Sequence, residues 1–245
     1  MTTVAIIQAR MGSTRLPGKI MADLDGMTVL EHVLERCAGV AGVSAVCCAT
    51  TRLDEDDVVA DLAGRVGAVV VRGAEHDVLG RYVQAARATS AEVVLRVTSD
   101  CPLIDPGICA AVIQLREAAG AAFAANNTPP SWPHGLDCEV FTRALLERAG
   151  KEAVVPEDRE HVSPYMRRHA SVLNLPCDEL DLRHLRWTLD TLEDLEFLRE
   201  LTTRIPRGSA GWTYTAPLLA MRNDPELLAR SEALAARAGQ NGRSG

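Results

Sequence analysis

A loop of cations and glycines follows the first apolar segment of this sequence and could hold a chain of phosphates. Val4–Gln8 is short and apolar enough for a buried strand, and the chain then enters a polar loop. The loop residues that could contact an anion are Ala9, Arg10, Gly12, Ser13, Arg15 and Lys19. Glycines let the backbone approach a ligand closely, while Arg and Lys supply positive charge. The pattern therefore predicts a polyanion site.

Two better-known phosphate motifs do not fit this loop. A Walker A loop has four residues between its first glycine and a Gly-Lys pair, and Ser or Thr follows the lysine. Here five residues separate Gly12 from Gly18, and Ile20 follows Lys19. The loop does not have the G-x-G-x-x-G spacing either. We therefore predict a phosphate-holding loop of a third kind.

Two aspartates end predicted strands and could hold a divalent cation. Asp100 follows the apolar segment Val93–Val97, and Asp190 follows Leu185–Leu189. Ligands of open parallel sheets lie beyond the carboxyl ends of the strands, and two carboxylates with phosphate oxygens and water suit octahedral Mg²⁺. The alternative is that either aspartate only caps the following helix. Asp105, which a proline follows, fits that capping role better.

Alternating strands and helices must position these residues. The predicted strands are Val4–Gln8, Val43–Ala49, Ala68–Val71, Val93–Val97, Ala121–Ala125, Leu136–Phe141, Val172–Leu175 and Leu185–Leu189. The predicted helices begin after Thr28 and after the solvated acidic run Asp54–Asp57, and continue with Asp77–Ala88, Pro106–Ala118, Thr142–Ala149, Leu192–Thr203 and Pro225–Ala238. This alternation predicts an α/β fold with a doubly wound, mostly parallel sheet covered on both faces.

A proline-rich segment interrupts the alternation without dividing the chain. Residues 126–133 contain three prolines, which preclude regular structure and predict an exposed loop. The sequence has no internal repeat and no linker long enough to separate two domains. We predict a single domain over residues 1–238, with an inserted arm at about residues 126–175 and a frayed tail over residues 239–245.

The composition is that of a soluble globular protein with one large domain. The sequence has 245 residues, of which 47% are hydrophobic, and a net charge of -7. The negative charge argues against nucleic acid as a partner, since broad nucleic-acid binding needs a basic face. Seven cysteines form no Cys-x-x-Cys pair and predict reduced, packed thiols. The absence of a signal peptide and of a membrane-spanning segment predicts a cytoplasmic protein with no membrane partner.

The loop and both aspartate segments resemble those of a known enzyme family. The pattern Ala9-Arg10-x-x-Ser13-x-Arg15-x-x-x-Lys19 is similar to the loop of the cytidylyltransferases that activate acidic sugars, such as CMP-sialic acid and CMP-Kdo synthetases. Asp100 before Pro102-Leu103-Ile104, and Asp190-Thr191-x-Glu193-Asp194-Leu195, look like that family's two metal-carboxylate segments. Four blocks most resemble the branch called spore coat polysaccharide biosynthesis protein F: Ile6–Lys19, Asp77–Tyr82, Gly135–Phe141 and Arg159–Tyr165.

The resemblance implies a Rossmann-like fold of the nucleotide-diphospho-sugar transferase type and a CTP-dependent reaction with Mg²⁺. An acceptor oxygen attacks the α-phosphorus of the nucleotide, and pyrophosphate leaves. The implied catalytic residues are Arg10, Lys19, Asp100 and Asp190, and the two aspartates would hold the metal. The implied nucleotide-binding residues of the loop are Ala9, Arg10, Gly12, Ser13, Arg15 and Lys19. Thr50, Arg81 and Thr98 are predicted to bind the nucleotide as well; the alternatives are an ordinary strand-to-helix loop for Thr50 and a surface salt bridge for Arg81. A homodimer that forms through the arm is implied as well.

Four further residues could contact the acceptor. Asp137 and Glu139 alternate along a predicted strand, so both side chains could point into the cleft. Arg159 and His161 could reach the acceptor or a phosphate from the arm. The alternatives are a solvated polar face for the first pair and ordinary surface charges for the second. His134 stands where the commoner pattern of the family has an acidic residue.

The leading hypothesis is a cytidylyltransferase that couples CTP to a sugar or sugar acid for cell-surface polysaccharide or specialised glycan biosynthesis. One alternative keeps CTP but uses a phosphonate or another anionic small molecule. A glycosyltransferase would usually have an Asp-x-Asp motif after a strand, whereas Asp23-Leu24-Asp25 precedes a glycine and predicts a turn. A non-catalytic nucleotide-binding protein would be favoured by a missing metal carboxylate or loop cation, and none is missing.

Overall fold

The protein is built around one sheet that carries the polar loops on its carboxyl edge. A computed structural model describes residues 1–177, 181–206 and 211–241. The strands are β1 (Thr3–Gln8), β2 (Asp23–Leu24), β3 (Met27–Thr28), β4 (Val43–Thr51), β5 (Val69–Gly73), β6 (Val93–Thr98), β7 (Phe123–Ala125), β8 (Glu139–Thr142) and β9 (Val172–Asn174). The helices are α1 (Val29–Ala38), α2 (Asp57–Arg65), α3 (Val78–Ala88), α4 (Pro106–Ala118), α5 (Arg143–Glu152), α6 (Pro156–His161), α7 (Pro164–His169), α8 (Leu192–Thr202), α9 (Thr215–Arg222) and α10 (Pro225–Asn241).

The main sheet is mostly parallel, as the sequence predicts. Its strand order within the described residues is β5-β4-β1-β6-β8-β7-β9. The strands β5, β4, β1 and β6 run parallel, β8 lies antiparallel between β6 and β7, and β9 pairs in parallel with β7. A separate two-stranded ribbon joins β2 to β3. The predicted doubly wound α/β fold is therefore confirmed.

The central strand β1 is apolar on both faces because helices cover both sides of the sheet. Ala5 and Ile7 belong to a core layer with α1, α2 and α4. Val4 and Ile6 belong to the opposite layer with α3, α5 and α7. Burial on both faces explains why this strand reads as a continuous apolar run rather than an alternating one.

The register of the sheet brings the opening loop beside the Asp100 segment. β1 and β6 pair in parallel from Thr3 with Val93 to Gln8 with Thr98, so both strands end at the same level. The chain leaves the sheet for the opening loop directly after Gln8, and it reaches Asp100 two residues after Thr98. Parallel pairing alone thus places these two polar segments on one edge.

The predicted strand at Leu185–Leu189 is wrong. In the part of the chain that the structure describes, this segment joins no sheet, and a single parallel bridge links Arg186 to His134. Its alternation instead directs Leu185, Trp187 and Leu189 into a third apolar cluster with α8, α9 and α10. The whole segment is buried, but its one bridge is to a loop, a partner that the apolar run in the sequence does not reveal.

The segment predicted as an arm contributes directly to the main sheet. β8 inserts between β6 and β7, and β9 forms an edge of the sheet beyond β7. Helix α5 packs against α3, and α7 packs against α5, with Leu146 and Met166 in the same core layer as Tyr82. Residues 126–175 thus carry short elements of the central fold.

The end of the chain is helical for longer than the sequence predicts. The final helix α10 continues to Asn241, three residues beyond the predicted end at Ala238. The rest of the predicted frayed tail, residues 242–245, lies outside the described residues. Among the described helices, none has the length and apolar character needed to cross a membrane.

Gly135 supports the contact between the proline-rich loop and the segment that leads to Asp190. Its φ is +118°, and a Cβ atom would lie 2.6 Å from the Trp187 carbonyl carbon. We predict that Gly135→Ala lowers the free energy of unfolding by about 3 kcal/mol, because the backbone is strained and the neighbouring atoms are themselves backbone. Urea titration measures this change.

Gly120→Ala is the matched control for Gly135→Ala. Gly120 also has a positive φ, +59°, but nothing lies within 4 Å of its Cβ position. We expect a loss of only about 1 kcal/mol from its backbone conformation. Equal losses for the two variants would contradict the close approach described for Gly135.

Candidate active site

The opening loop is folded back on itself by backbone hydrogen bonds. The amides of Ser13 and Gly18 both donate to the carbonyl of Met11, over 2.9 and 3.0 Å. Gly18 has φ +71°, which lets the chain turn into the short 3-10 helix Lys19–Met21. The turn directs Lys19 toward the carboxyl edge of the sheet, where its side chain lines a cleft.

A buried aspartate anchors this loop to the sheet. Asp56 Oδ1 accepts a hydrogen bond of 2.6 Å from the amide of Met11, and its other oxygen accepts one from the Thr51 hydroxyl. Asp56 has no exposed surface. The sequence-based interpretation of Asp54–Asp57 as a solvated helix start is therefore wrong at this position, because the side chain turns inward to satisfy a loop amide.

Lys19 joins the two predicted metal carboxylates. Its Nζ lies 2.9 Å from Asp100 Oδ2, 2.9 Å from Asp190 Oδ1 and 2.7 Å from the carbonyl oxygen of Leu189. The side chain is 13% exposed. Burial alone would lower the pKa of Lys19, but the two carboxylates outweigh burial and raise the pKa above its usual range.

Asp190 is held by three cations. Besides Lys19, Arg15 Nη2 lies 2.8 Å from its Oδ1, and Arg186 Nη2 lies 2.8 Å from its Oδ2. Burial alone would raise the pKa of Asp190, but Lys19, then Arg186 and Arg15, hold this pKa at about 2. The carboxylate is therefore ionised throughout the physiological pH range.

Arg186 fixes the far side of this arrangement, and sequence reasoning gave it no role. Its guanidinium contacts Asp194 with Nε and Nη2 at 2.9 and 3.0 Å, and its Nη1 lies 2.9 Å from His134 Nδ1. The backbone N–H of Arg186 donates to Ser231 Oγ of α10 over 3.0 Å, and this hydroxyl donates back to the Arg186 carbonyl. An arginine inside an apolar run was the available signal, since such a residue is rarely buried unless it is paired.

A cleft of about 290 Å³ opens beside these charges. Of the predicted site residues it is lined by Ala9, Arg10, Gly12, Ser13, Arg15, Lys19, Arg81, Thr98, Asp100, His161 and Asp190. The lining residues that the sequence analysis did not assign are Gln8, Thr14, Ile20, Val78, Ser99 and Glu160. Loop cations, both aspartates and two residues of the predicted arm thus meet at the carboxyl edge of the sheet.

Two predicted nucleotide-binding residues, Thr50 and Arg81, are not available to the cleft as predicted. Thr50 is fully buried within β4 and does not line the cleft. Arg81 lines the cleft, but its Nη1 donates to the backbone carbonyls of Ala74 and Glu75 over 2.5 and 2.8 Å. The side chain of Arg81 therefore shapes the loop before α3.

Two predicted acceptor-binding residues, Arg159 and Asp137, contact other protein groups outside the cleft lining. Arg159 contacts Asp77 with Nε and Nη2 at 2.9 and 2.7 Å, and Asp77 caps α3 through the Gly80 amide. Asp137 accepts a hydrogen bond of 3.1 Å from the Gly135 amide. The structure places neither Arg159 nor Asp137 on the cleft lining.

Of the other two predicted acceptor-binding residues, His161 lines the cleft and Glu139 is buried in an ion network. Its Oε2 lies 2.7 Å from Arg96 Nη1, and its Oε1 lies 2.5 Å from Arg167 Nη2. The side chain is 1% exposed. Burial alone would raise the pKa of Glu139, but Arg96 and then Arg167 outweigh it and lower the pKa. The contacts fit a structural role beside the cleft.

The two aspartates fit Mg²⁺ by geometry and by ligand chemistry. One ammonium group contacts both carboxylates, so one cation can reach both. In the described residues no group of three or more His, Cys, Asp or Glu side chains could hold a metal ion. Mg²⁺ commonly binds through one or two carboxylates, with water and substrate phosphates completing its octahedron. The site therefore suits a cation that arrives with a phosphate ligand.

Comparisons with known proteins agree on one family. A family model described as Cytidylyltransferase matches residues 4–208. The spore coat polysaccharide biosynthesis protein SpsF of Bacillus subtilis is 32% identical over 205 residues, which are 80% of this chain and 84% of that protein. The 3-deoxy-manno-octulosonate cytidylyltransferase of Anaeromyxobacter dehalogenans is 32% identical over 184 residues, which are 72% and 74% of the two chains. A solved cytidylyltransferase from Leptospira borgpetersenii matches with a TM-score of 0.87 and 32% identity, covering 93% of this chain and 96% of that one.

Loss of the Asp56 anchor should release the opening loop. We predict that Asp56→Ala lowers the free energy of unfolding by about 2–3 kcal/mol, because the Met11 amide and the Thr51 hydroxyl lose their acceptor. Urea titration measures the loss. Asp54→Ala removes an exposed carboxylate of the same run and should change stability by less than about 0.5 kcal/mol. If both variants were equally stable, Asp56 would not anchor the loop.

The Glu139 network should leave a signature in the pH dependence of stability. At pH 7, Glu139→Gln should lower the free energy of unfolding by about 3 kcal/mol, because Arg96 and Arg167 lose their counter-charge. The pKa of Glu139 in the folded protein lies below the usual 4.5. Its contribution is therefore complete above that value and is lost as the pH falls through the lower, folded-state pKa.

The stability difference between the wild type and Glu139→Gln should therefore shrink as the pH falls from about 5 to about 3. Denaturant titrations across this range measure the difference. Glu147→Gln removes an exposed pair with Arg87 and serves as a control with little effect. A difference that grows in acid would contradict the assigned direction of the pKa shift.

Proposed function

This chain belongs to the cytidylyltransferase family, and we propose that it couples CTP to a sugar or sugar acid with release of pyrophosphate. The family assignment makes it a CTP-dependent nucleotidyltransferase with the nucleotide-diphospho-sugar type of fold. Its likeness to the SpsF branch, which the sequence motifs predict, is confirmed. The proposal concerns the acceptor, the metal and the role of each residue.

One observation supports the proposal most strongly: Lys19 of the cationic loop contacts both Asp100 and Asp190 at the edge of the cleft. Transfer of a nucleotidyl group concentrates negative charge on phosphate oxygens, and positive groups fixed beside those oxygens stabilise the transition state. A divalent cation between the two carboxylates would neutralise charge on the reacting phosphate. The contacts of Lys19 support both the positive charge beside the phosphates and the pair of carboxylates for a divalent cation, at one edge of the cleft.

The cations of the loop would hold the triphosphate. Arg10, Arg15 and Lys19 line the cleft on the side of the Gly12–Ser13 backbone. Arginine can contact two phosphate oxygens at once, while the lysine ammonium acts as a mobile point charge. We assign these side chains to the phosphates, and Asp100 and Asp190 to Mg²⁺, with Arg186 keeping Asp190 oriented.

The acceptor would enter from the side of α6. His161 and Glu160 line the cleft there. Their ring nitrogens and carboxylate oxygens can hydrogen-bond sugar hydroxyls. The names of SpsF and of the 3-deoxy-manno-octulosonate cytidylyltransferase connect these relatives with a polysaccharide and a sugar acid, which supports a sugar-type acceptor for this chain. Homodimerisation through residues 126–175 and a cytoplasmic location are further parts of the proposal.

A pyrophosphate-release screen tests the proposed reaction. The purified protein is incubated with Mg²⁺ and each of the four ribonucleoside triphosphates, against a panel of sugars, sugar acids, sugar phosphates and phosphonates. We expect release with CTP and a sugar or sugar acid. Release with a phosphonate alone would refute the acceptor class, and absence of release with CTP under all conditions would refute the activity.

Removal of the Lys19 charge should slow the chemical step. We predict that Lys19→Ala lowers kcat by about 10²–10³-fold, because the reacting phosphates lose one stabilising positive charge. Steady-state pyrophosphate release measures this change. Lys151, the other lysine of the sequence, is exposed on α5, and Lys151→Ala should leave kcat unchanged. A kcat for Lys19→Ala within about twofold of wild type would contradict the assigned role.

A further inference from the structure

The Lys19 ammonium lies where a single cation contacts both Asp100 and Asp190. This position affects how metal and nucleotide bind relative to each other. We propose that the Lys19 ammonium occupies the divalent-cation position until nucleotide arrives, so that metal and triphosphate bind strongly only as a pair. The inference rests on the proposed function in taking a nucleoside triphosphate as the ligand. It concerns a different property, the coupling between two binding events.

The charges around Lys19 are balanced before any ligand binds. We define the charge cluster as the six side chains of Arg15, Lys19, Asp100, Arg186, Asp190 and Asp194. Three are positive and three are negative, so their formal charges cancel. A divalent cation alone would add two positive charges to a balanced, partly buried cluster, where Coulomb interactions are stronger than in water.

Metal binding also requires Lys19 to give up its partners. The ammonium has three acceptors, which are Asp100, Asp190 and the carbonyl of Leu189. Mg²⁺ in turn loses part of its tightly held hydration shell when it binds two carboxylates. Without a new partner for the ammonium, this exchange replaces good contacts with repulsion, and metal affinity is low.

A triphosphate supplies that new partner. Lys19 lines the cleft and carries a flexible four-carbon stem, so its ammonium can move to a phosphate oxygen without movement of the backbone. Arg186 is different, because its side chain is 4% exposed and Asp194 holds it from a second side. Lys19 therefore moves while Arg186 continues to orient Asp190, and the vacated carboxylates accept the metal.

Mn²⁺ binding to the metal-free protein, without nucleotide, tests the proposal directly. The probe is Mn²⁺ itself, measured by the loss of its free-ion electron paramagnetic resonance signal. We expect Lys19→Met to bind Mn²⁺ at least about tenfold more tightly than the wild type, because the competing charge is gone. Lys19→Arg keeps the charge and should bind as weakly as the wild type. Equal Mn²⁺ affinities for wild type and Lys19→Met would overturn the proposal.

Two further variants test whether the tighter Mn²⁺ binding is specific to the loss of the Lys19 charge. Arg15→Met removes a positive charge that contacts Asp190 but is 62% exposed. It should tighten Mn²⁺ binding by less than about threefold, because the exposed charge is screened by solvent. Adding Asp100→Asn to Lys19→Met should return Mn²⁺ binding to the weak wild-type level. Tight Mn²⁺ binding by this double variant would place the ion elsewhere and overturn the proposal.

Thermal unfolding gives a second readout and controls for folding. Mn²⁺ should raise the Tm of Lys19→Met more than that of the wild type, since a ligand that binds the folded state stabilises it. Lys19→Gln provides the same loss of charge if the methionine variant does not fold. The absence of any additional Mn²⁺ stabilisation in the folded variant would contradict the proposal.

The coupling to nucleotide separates this proposal from the proposed reaction. Saturating CTP should tighten Mn²⁺ binding to the wild type by about 30-fold or more, and the factor should be much smaller in Lys19→Met. If the wild type does not bind CTP with any metal, the proposed function fails, while the nucleotide-free comparison still decides the role of Lys19. If CTP binds but the coupling is equal in both proteins, the pairing of metal and nucleotide does not depend on Lys19.

Discussion

The contact of one ammonium with two carboxylates connects three distant parts of this chain. Lys19 is 81 residues from Asp100 and 171 residues from Asp190, yet its Nζ lies 2.9 Å from both side chains. Closing such long loops costs conformational entropy, which the sheet and its two apolar layers must offset. The parallel strands β1 and β6 supply the geometry, and the ion pairs fix the final positions. At the carboxyl edge of the sheet, the ion pairs of Lys19 therefore depend on the fold, and they in turn hold its three segments together.

Much of this architecture could be predicted because its signals are local. Val4–Gln8 and Val93–Val97 are short apolar runs that end in polar residues, so their burial and their common edge follow from the sequence. The Thr28 capping box and the Asp105 cap of α4 also form as the residue types suggest. The opening loop and both aspartates were candidates for a similar reason, since ligands of open parallel sheets bind beyond the carboxyl ends of the strands.

The remaining features depend on partners that are far away in sequence. Asp56, Arg186 and Glu139 are charged residues in which the free energy of burial is offset by specific neighbours. Their side chains could equally face solvent as far as spacing shows, so Asp56 and Glu139 were assigned to the surface or the cleft. The segment leading to Asp190 has the sequence pattern of a buried strand but bridges to a loop. The pattern predicts burial and does not reveal what covers the segment.

The contact of the Ser231 hydroxyl with Arg186 bears on the order in which the site is assembled during synthesis. Ser231 lies on α10 and forms hydrogen bonds with the backbone N–H and carbonyl of Arg186. All the residues that line the cleft come before Ser231 in the sequence, and the last of them is Asp190. The ribosome therefore synthesises the opening loop, Asp100 and Asp190 before Ser231. Proteins generally fold from the N-terminus during synthesis. The contact of α10 with the Arg186 backbone can thus form only after all the residues that line the cleft have been synthesised.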